Sequence, residues 1–398
     1  MSEPDTAHVI RSEEEALSVA RQLAREFEQG SSARDRDRRL PRDEVRRYAR
    51  SGLWGIGIPP AYGGIGASYR TIIEVMATVS AADSSIGQLP QNNFLLLDSL
   101  NLFGSDAQKR FFFGEVLAGR ILGNAFVEHG GKDVLDIRSR IRRTPEGGLR
   151  LDARKAYTTN ALFADWIPIS GRDDDGNVVY AYVERDAPGL TVLDDWAGMG
   201  QRTTASGTLV AENVAVDPRH LIERHKHPPR PSIAGPYAQL LHAAIDLGIA
   251  RASFAEAVGL AREATRPWID SGLDRPQDDP HTLAQLGDLQ IRVHVADAMI
   301  ERAARTLDAV REQPGVDDVA RASVAVAEAK VVANDAALHA SSKLFEFGGA
   351  GSARSPLNLE RHWRNARTHT LHDPVRWKYH LIGNYVLNQK NPPVHIWA

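Results

Sequence analysis

Two changes in the hydrophobic period of the sequence constrain its fold more than any other feature. Residues 13 to about 120 read as mainly helical, and in Glu13–Gln29 apolar side chains recur about every 3.6 positions, as on one face of a helix. From about residue 121 to 222 the period is two, and from residue 237 onward the helical spacing returns. We therefore expect a mainly α-helical protein with a central β domain. The predicted domains are an N-terminal α-helical domain at 1–120, a small antiparallel β domain at 121–222, a polar, Pro-rich linker at 223–236 and a C-terminal four-helix bundle at 237–398.

Capping and turn signals place individual helices within these domains. In the first domain the pattern predicts helices at Glu13–Gln29, Asp43–Ser51 and Tyr69–Ala82, and a helical hairpin around Asn93–Leu102 and Ser105–Ala118. Asp83-Ser84-Ser85 has the residue types of a helix stop and a new cap, and Ser105 has those of an N-cap. The bundle is expected to contain four long helices at Tyr237–Thr265, 286–307, Val319–Phe347 and Val375–Leu387.

The composition excludes several classes of protein. The 398 residues include no cysteine, which excludes disulfides, thiolate nucleophiles, Cys-ligated zinc and iron–sulfur clusters. With 48 Lys and Arg against 51 Asp and Glu, the net charge of −3 provides no basic field for nucleic acid or an anionic membrane. The acidic start has no signal-peptide core, and no apolar run approaches the roughly 20 residues of a membrane helix. We expect a cytoplasmic protein.

The stretch from Arg361 to Pro374 is the richest in groups that can do chemistry. It holds three Arg, three His and one Asp within 14 residues. Pro374 disfavours the helical conformation at Asp373, so His372 and Asp373 are expected at a loop or helix edge, where the imidazole can act as a general acid or hydrogen-bond donor. His369 and His372 have a spacing that suits a metal, but no third ligand has matching spacing, and we expect no metal site. A charged helix end is the alternative interpretation.

Three further segments have both a functional and a purely structural interpretation. The Thr residues and Asn within Tyr157–Asn160 can offer donors to a heterocycle, or simply belong to a strand. The glycines of Gly348–Ser352 can let backbone approach a ligand, or stop a helix; no strand precedes them, so a dinucleotide-binding fingerprint is excluded. Arg266 can bind a phosphate, or be an exposed residue at the end of a helix.

Taken together, these motifs resemble the acyl-CoA dehydrogenase superfamily over essentially the whole chain. Tyr157–Asn160 is similar to the family's Trp-Ile-Thr-Asn strand, Phe347–Gly351 to its Phe-Gly-Gly-x-Gly loop, and Asn213–Pro218 to its run ending in Val-x-x-Pro. The resemblance implies the family's fold, in which an N-terminal helical domain, a small antiparallel β domain and a C-terminal four-helix bundle follow one another.

A narrower resemblance is to the branch that contains dibenzothiophene monooxygenase and its relatives. It is carried by Trp363–Pro374, by Asp194–Gly200 and by Gly87-Gln88-Leu89. Along Tyr237–Arg251 and His369–Asn388 the chain is most similar to the sulfur-acquisition oxidoreductases linked to dimethyl sulfone use.

This branch implies a two-component monooxygenase that oxygenates a small sulfur-containing organic substrate through a flavin C4a-hydroperoxide. O₂ and reduced FMN are the implied co-substrate and cofactor, a separate flavin reductase supplies the FMNH₂, and the assembly is a homotetramer. One alternative is an FAD-dependent acyl-CoA dehydrogenase acting on a thioester, and another is a binding protein without turnover. Dehydrogenation needs a catalytic carboxylate, which the commonest subgroup of the family supplies as Glu in a Tyr-Glu-Gly-Thr turn. Here the matching turn is His372-Asp373-Pro374, in which Asp is shorter than Glu, and the alternative position carries Ala238. Phe345 also replaces the Gln that helps to hold the adenine half of FAD.

The resemblance also assigns roles to individual residues. His372 is expected to protonate or hydrogen-bond the hydroperoxide, and Asp373 to polarise the site or cap the turn. Asn93 stands where the monooxygenase has a second His; its amide can donate a hydrogen bond but cannot exchange a proton. Thr159 is expected to act in catalysis at the flavin edge. The expected cofactor-binding residues are Tyr157, Thr159, Trp196, Arg266, Gly349, Gly351 and His369.

Overall fold

Side-chain caps mark where several helices of the N-terminal region begin. The computed structural model, which describes residues 7–264 and 266–397, contains α1 (Glu13–Glu28), α2 (Ser31–Asp37), α3 (Arg42–Arg50), α4 (Tyr69–Ala82), α5 (Ser84–Gln88), α6 (Gln91–Phe103) and α7 (Asp106–Leu117). Asp83 ends α4 and caps α5 by accepting a hydrogen bond from the Ile86 backbone, and Ser105 forms a capping box with Gln108 on α7. The predicted helices, stop signal and cap are confirmed; the short helices α2 and α5 were not predicted.

The central region is one sheet with strands β1 (Val127–Glu128), β2 (Arg140–Arg143), β3 (Leu149–Ala156), β4 (Trp166–Arg172), β5 (Val178–Glu184), β6 (Leu190–Val192), β7 (Leu209–Val216) and β8 (Leu221–Ile222). The strand order is β6-β7-β3-β2-β4-β5-β8, and β1 also pairs with β3. The expectation of a purely antiparallel sheet is corrected by the β2–β4 pair, which is parallel, with Arg140 opposite Arg172. The hydrophobic period of a strand does not show whether its neighbour in the sheet runs parallel or antiparallel to it. The parallel β2–β4 pair could therefore not be predicted from the sequence.

The C-terminal region contains α8 (Ala234–Glu263), α9 (Pro280–Ala309), α10 (Val316–Gly348), α11 (Glu360–His369) and α12 (Arg376–Asn388). Helix α8 begins three residues before the predicted start, since Pro236 is tolerated in a first helical turn. The predicted apolar seam of α9 is buried at Leu289, Val293, Ala296, Ile300, Ala303 and Leu307. Helix α12 lies within one residue of the predicted Val375–Leu387, whereas α11 was not predicted.

Helix α11 escaped prediction because its buried face is mostly polar. Its buried residues are His362, Asn365, Ala366 and His369, which give no apolar stripe of helical period. The helix packs so closely against the β region that a Cβ on Gly200 would lie 2.0 Å from the backbone oxygen of Arg364. Only glycine fits at this contact.

Helix α8 connects the regions because its first half is buried on every side. Residues 235–250 are all buried, in contact with α4 and α10 among other elements, so the segment has no solvent-exposed face. Buried residues of all three regions belong to one hydrophobic core. No helix within the described residues is both long enough and apolar enough to cross a membrane.

Candidate active site

A cavity of about 520 Å³ lies where the three regions meet. Its walls come from α6, from the loops at the ends of β3 and β6, from the first turns of α8, from the end of α11 and from the C-terminal tail. The lining residues include Gln88, Gln91, Asn92, Asn124, Tyr157, Thr159, Trp196, Met199, Gln201, Ser206, Ala238, His242, Thr368, His369, His372 and Trp397. Of the residues predicted from the sequence, the fold therefore brings Tyr157, Thr159, Trp196, His369 and His372 to one space.

A row of hydroxyl groups forms one wall of this cavity. The Thr159 and Ser206 oxygens are 2.7 Å apart, and the Ser206 and Thr204 oxygens are 2.8 Å apart. Thr204 Oγ1 then donates to the backbone oxygen of Gln201 at 3.0 Å. Because each hydroxyl can both donate and accept, the row fixes the Thr159 hydroxyl while leaving it a further hydrogen bond toward the cavity.

The backbone around this wall is held in an uncommon conformation. Tyr157, Asn160, Gln201 and Ala205 have φ values of 53°, 70°, 47° and 49°, in the left-handed region that non-glycine residues rarely adopt. Such strain clusters at binding sites, where surrounding contacts enforce it. The Tyr157 ring, 59% exposed, meets the Trp196 indole edge to face at 6.3 Å, and Trp196 Nε1 donates to the Gln201 backbone oxygen at 2.8 Å.

His372 also lines the cavity, and Asp373 holds its ring. His372 Nδ1 is 3.3 Å from Asp373 Oδ1, and because a carboxylate only accepts, Nδ1 donates and Nε2 is left for other contacts. The side chain of His372 is 31% exposed, toward the cavity that it lines. Burial lowers the pKa of His372 below its ordinary value, although the Asp373 carboxylate opposes this shift.

Asp373 itself forms ion pairs with two buried lysines. Lys330 Nζ contacts one carboxylate oxygen, and Lys378 Nζ lies 3.4 Å from the other. Burial alone would raise the pKa of Asp373, but the hydrogen bond from His372 and the charges of both lysines hold it well below its ordinary value. Burial and the charge of Lys330 lower the pKa of Lys378 to about 8. Asp373 is therefore a buried anion that orients His372 and does not line the cavity.

A chain of hydrogen bonds between His242, His369 and Asp246, which was not predicted from the sequence, runs from the cavity into α8. We call it the histidine relay. His242 Nδ1 lies 3.2 Å from His369 Nε2, and His369 Nδ1 lies 2.6 Å from Asp246 Oδ1. Asn334 donates its side-chain amide to the other Asp246 oxygen. His242 and Asp246 are four residues apart and lie on one face of α8. This spacing was the only sequence feature that could have indicated the relay, because the partners His369 and Asn334 are distant in sequence.

Asn93 does not reach the cavity. It is fully buried, and its Nδ2 donates to the Trp54 backbone oxygen at 2.8 Å, whereas the preceding residue, Asn92, lines the cavity.

Arg266, Gly349 and Gly351 lie at the far end of α8 and α10, where Gly348 packs against Leu260. About 30 Å of helix separates His242 from the end of α8, at a rise of 1.5 Å per residue. Within one chain these three residues are therefore not part of the cavity.

Models of the acyl-CoA dehydrogenase domains match the chain in three consecutive segments. The N-terminal domain matches residues 12–120, the middle domain residues 128–214 and the C-terminal domain residues 240–377. Together the three segments cover most of the chain.

Individual relatives match over nearly the full length. The chain is similar to the dibenzothiophene monooxygenase of Rhodococcus erythropolis, at 32% identity over 98% of each chain. It is also 32% identical to the probable FMNH₂-dependent monooxygenase SfnC of Pseudomonas putida, over 95% of this chain and 96% of that one. The crystal structure of FMN-bound TdsC from Paenibacillus sp. A11-2 matches with a TM-score of 0.90 and 31% identity, covering 96% of this chain and 100% of the other.

Proposed function

The chain belongs to the acyl-CoA dehydrogenase family, and we propose that it works there as a flavin-dependent monooxygenase. It uses reduced FMN and O₂ to oxygenate a small, sulfur-containing organic substrate. Sequence identity supports this assignment. Over nearly the whole chain, about a third of the residues are identical to those of two monooxygenases and of an FMN-bound structure.

One observation in the cavity carries the choice between oxygenation and dehydrogenation. Three imidazoles, those of His242, His369 and His372, line the cavity, and no Asp or Glu does so among the described residues. Removal of the α-proton of a thioester needs a free carboxylate as base, and Asp373 is already paired with Lys330 and Lys378. Histidine that stays neutral near pH 7 suits hydrogen bonding and proton delivery during oxygenation.

The cavity also fits a flavin ring by its size and its hydrogen-bonding groups. A volume of about 520 Å³ lies within the range of small-ligand sites. Gln88 and Thr368 line it, and within the described part of the chain their side-chain oxygens Oε1 and Oγ1 are buried without a hydrogen-bond partner. Such atoms are costly unless a ligand pairs with them. We assign Tyr157 and Trp196 to the ring faces and the Thr159 hydroxyl to its polar edge.

We assign the phosphate of FMN to Arg266 and the backbone of the Gly349–Gly351 loop in a neighbouring subunit. No Arg or Lys lines the cavity among the described residues, so a phosphate there lacks a cation within one chain. Arg266 is exposed, as are the large apolar side chains of Trp268 and Ile269 in the same loop. Elsewhere on the bundle region Ile291, Val386 and Leu387 are exposed as well. Large apolar side chains on a surface are typical of a subunit contact, and we propose a homotetramer assembled through the bundle region.

The residues of the chain divide the remaining work. When bound, reduced FMN activates O₂, so that one oxygen atom enters the substrate and the other leaves as water. His372, aligned by Asp373, donates a hydrogen bond or a proton from Nε2 toward the cavity. The hydroxyl row of Thr159, Ser206 and Thr204 fixes one edge of the ring, and Trp397, stacked on His372 at 5.0 Å, helps to exclude bulk water. Because reduced FMN is consumed in each turnover, a separate flavin reductase must supply it, and we place both enzymes in the cytoplasm.

Anaerobic mixing tests the assignment against dehydrogenation. Enzyme reconstituted with oxidised FMN or FAD is mixed with a panel of acyl-CoA thioesters without oxygen, and the flavin absorbance is followed. The proposal predicts that both flavins stay oxidised and that FMN binds to the protein. Bleaching of either flavin by an acyl-CoA within seconds would overturn it.

A further inference from the structure

We propose that His242 is a second proton-transferring residue of this cavity, which exchanges protons with bound reactants and passes them to His369. The inference rests on the proposed monooxygenase function and extends it to a residue that the motifs of the chain did not reveal.

The hydrogen bonds of the relay fix the direction in which a proton can travel. Asp246 is 1% exposed and accepts from His369 Nδ1, so the neutral His369 ring has an unprotonated Nε2. That atom accepts from His242 Nδ1, which leaves His242 Nε2 as a base with no partner among residues 7–264 and 266–397. When His242 Nε2 accepts a proton, His242 can release its Nδ1 proton to His369 Nε2. The Asp246 carboxylate then stabilises the positive charge of His369.

The position of His242 against His372 couples the two imidazoles. Their ring centres are 3.8 Å apart with planes inclined by 31°, so two positive charges at this distance would repel strongly. His242 also faces His369 from α11, Lys330 from α10 and Asp373 from the turn after α11. Burial, followed by the charges of His372, Lys330 and His369, lowers the pKa of His242 well below its ordinary value. The stacked pair therefore holds at most one extra proton.

This arrangement matches the proton balance of the reaction. In the overall step, substrate, O₂ and FMNH₂ give oxygenated substrate, FMN and H₂O, so the two electrons and two protons of the reduced cofactor leave with one oxygen atom as water. A pair of stacked imidazoles can receive one proton while delivering another. The relay lets His242 do this while the positive charge passes to His369, next to the Asp246 carboxylate.

Two substitutions separate proton transfer from the other roles of His242. Asparagine places its amide near Nδ1 and keeps the contact with His369, whereas glutamine places its amide near Nε2 and keeps a polar group at the cavity. Neither can exchange a proton. We expect both His242→Asn and His242→Gln to bind FMN normally, to form product about 100-fold more slowly and to release more H₂O₂. Product formation within twofold of the wild type in either variant would overturn the proposal.

A second readout needs no cofactor and no turnover. Imidazole ¹⁵N signals of the FMN-free protein report which ring nitrogen of each histidine carries the proton. We expect the Asp246→Asn variant to shift the ring signals of His242, although residue 246 does not touch it. Unchanged His242 signals in that variant would overturn the relay.

The wild type separates the two claims. If it fails to oxygenate any substrate, the proposed function fails whatever the relay does. If it oxygenates while the His242 variants match it, only the relay is wrong.

Discussion

At the scale of single residues, His372 and Asp373 are adjacent in sequence but differ in burial, and this difference gives them different roles. Asp373 is 6% exposed and contacts two lysines, whereas the side chain of His372 is 31% exposed toward the cavity. Both were predicted from one motif, and the sequence could not separate them, because Lys330 lies 43 residues away. The buried ion pairs explain why a carboxylate here orients an imidazole and does not act as a base.

The first prediction concerns His372. His372→Gln keeps a polar side chain but removes proton transfer, so we expect product formation to fall about 100-fold, with H₂O₂ released instead and FMN affinity maintained. Product, H₂O₂ and FMN binding are measured in parallel. His362→Gln is the matched control, since His362 is buried beside Glu256 outside the cavity lining and its replacement should leave product formation unchanged. Full product formation by His372→Gln would refute the role.

The pH dependence of stability follows from His242. Its folded-state pKa is lowered well below the ordinary value, so below about pH 6.5 the unfolded chain binds more protons than the folded one. The free energy of unfolding should therefore fall as the pH falls, by up to about 1.4 kcal/mol per pH unit from this residue. Urea unfolding at about pH 7.5 and about pH 5.5 measures the change. His242→Gln should lose this part of the slope, and an equal slope in both proteins would contradict the argument.

At the scale of elements, the contact between the loop after β6 and α11 sets one wall of the cavity. Gly200 touches the backbone of Arg364, and the Gln201 backbone N–H donates to the Asn365 side chain at 2.7 Å. The same loop carries Trp196, Met199, Gln201 and Ser206 to the cavity. A shift of α11 against the sheet would therefore move both walls of the site together.

Replacement of Gly200 tests this contact. A Cβ at this position meets backbone 2.0 Å away, so Gly200→Ala should lower the free energy of unfolding by about 1–3 kcal/mol and weaken FMN binding. Denaturant unfolding and flavin titration measure the two effects. Gly114→Ala on α7 is the control: a Cβ there has no neighbour within 4 Å, and the change should be neutral or stabilising by up to about 1 kcal/mol. Identical stability of both variants would contradict the packing argument.

Elements with an apolar stripe were predictable, and those held by polar groups were not. The seam of α9 and the helices α1, α3 and α4 follow from spacing alone, because hydrophobic burial decides their faces. Helix α11 buries histidine and asparagine, and β2 pairs with β4 through a single parallel register. Such contacts depend on partners far along the chain, which local periodicity does not report.

At the scale of the whole molecule, the same limit applies to the candidate site. Tyr157, Thr159, Trp196, His369 and His372 were found from motifs that are continuous in sequence, and the fold places all five at one cavity. His242, Asp246 and Lys330 were missed, since they act through contacts between helices that only the folded chain brings together. Arg266 lies outside the cavity of its own chain, so its predicted role depends on assembly.

The last mutational prediction concerns both the oligomeric state and the role of Arg266 in FMN binding. Light scattering at micromolar concentration should give about four times 43.7 kDa. Arg266→Ala should keep this mass but weaken FMN binding by about 1.5–3 kcal/mol, the scale of hydrogen bonds to a charged group. Arg275→Ala, which changes another exposed Arg of the same loop, is the control and should leave the FMN affinity unchanged. A monomer, or an unchanged dissociation constant in Arg266→Ala, would refute the assignment.

Isotope labelling tests the central claim, that this protein inserts an oxygen atom from O₂ into a small sulfur compound. The enzyme is mixed with FMN, a flavin reductase and its nicotinamide donor, ¹⁸O₂ and a panel of thioethers, sulfinates and aromatic sulfur heterocycles, and products are analysed by mass spectrometry. The account predicts one ¹⁸O atom in the oxidised product of at least one compound, only when reductase and enzyme are both present. Oxidised product that carries oxygen from water, or equal yields without the enzyme, would contradict it.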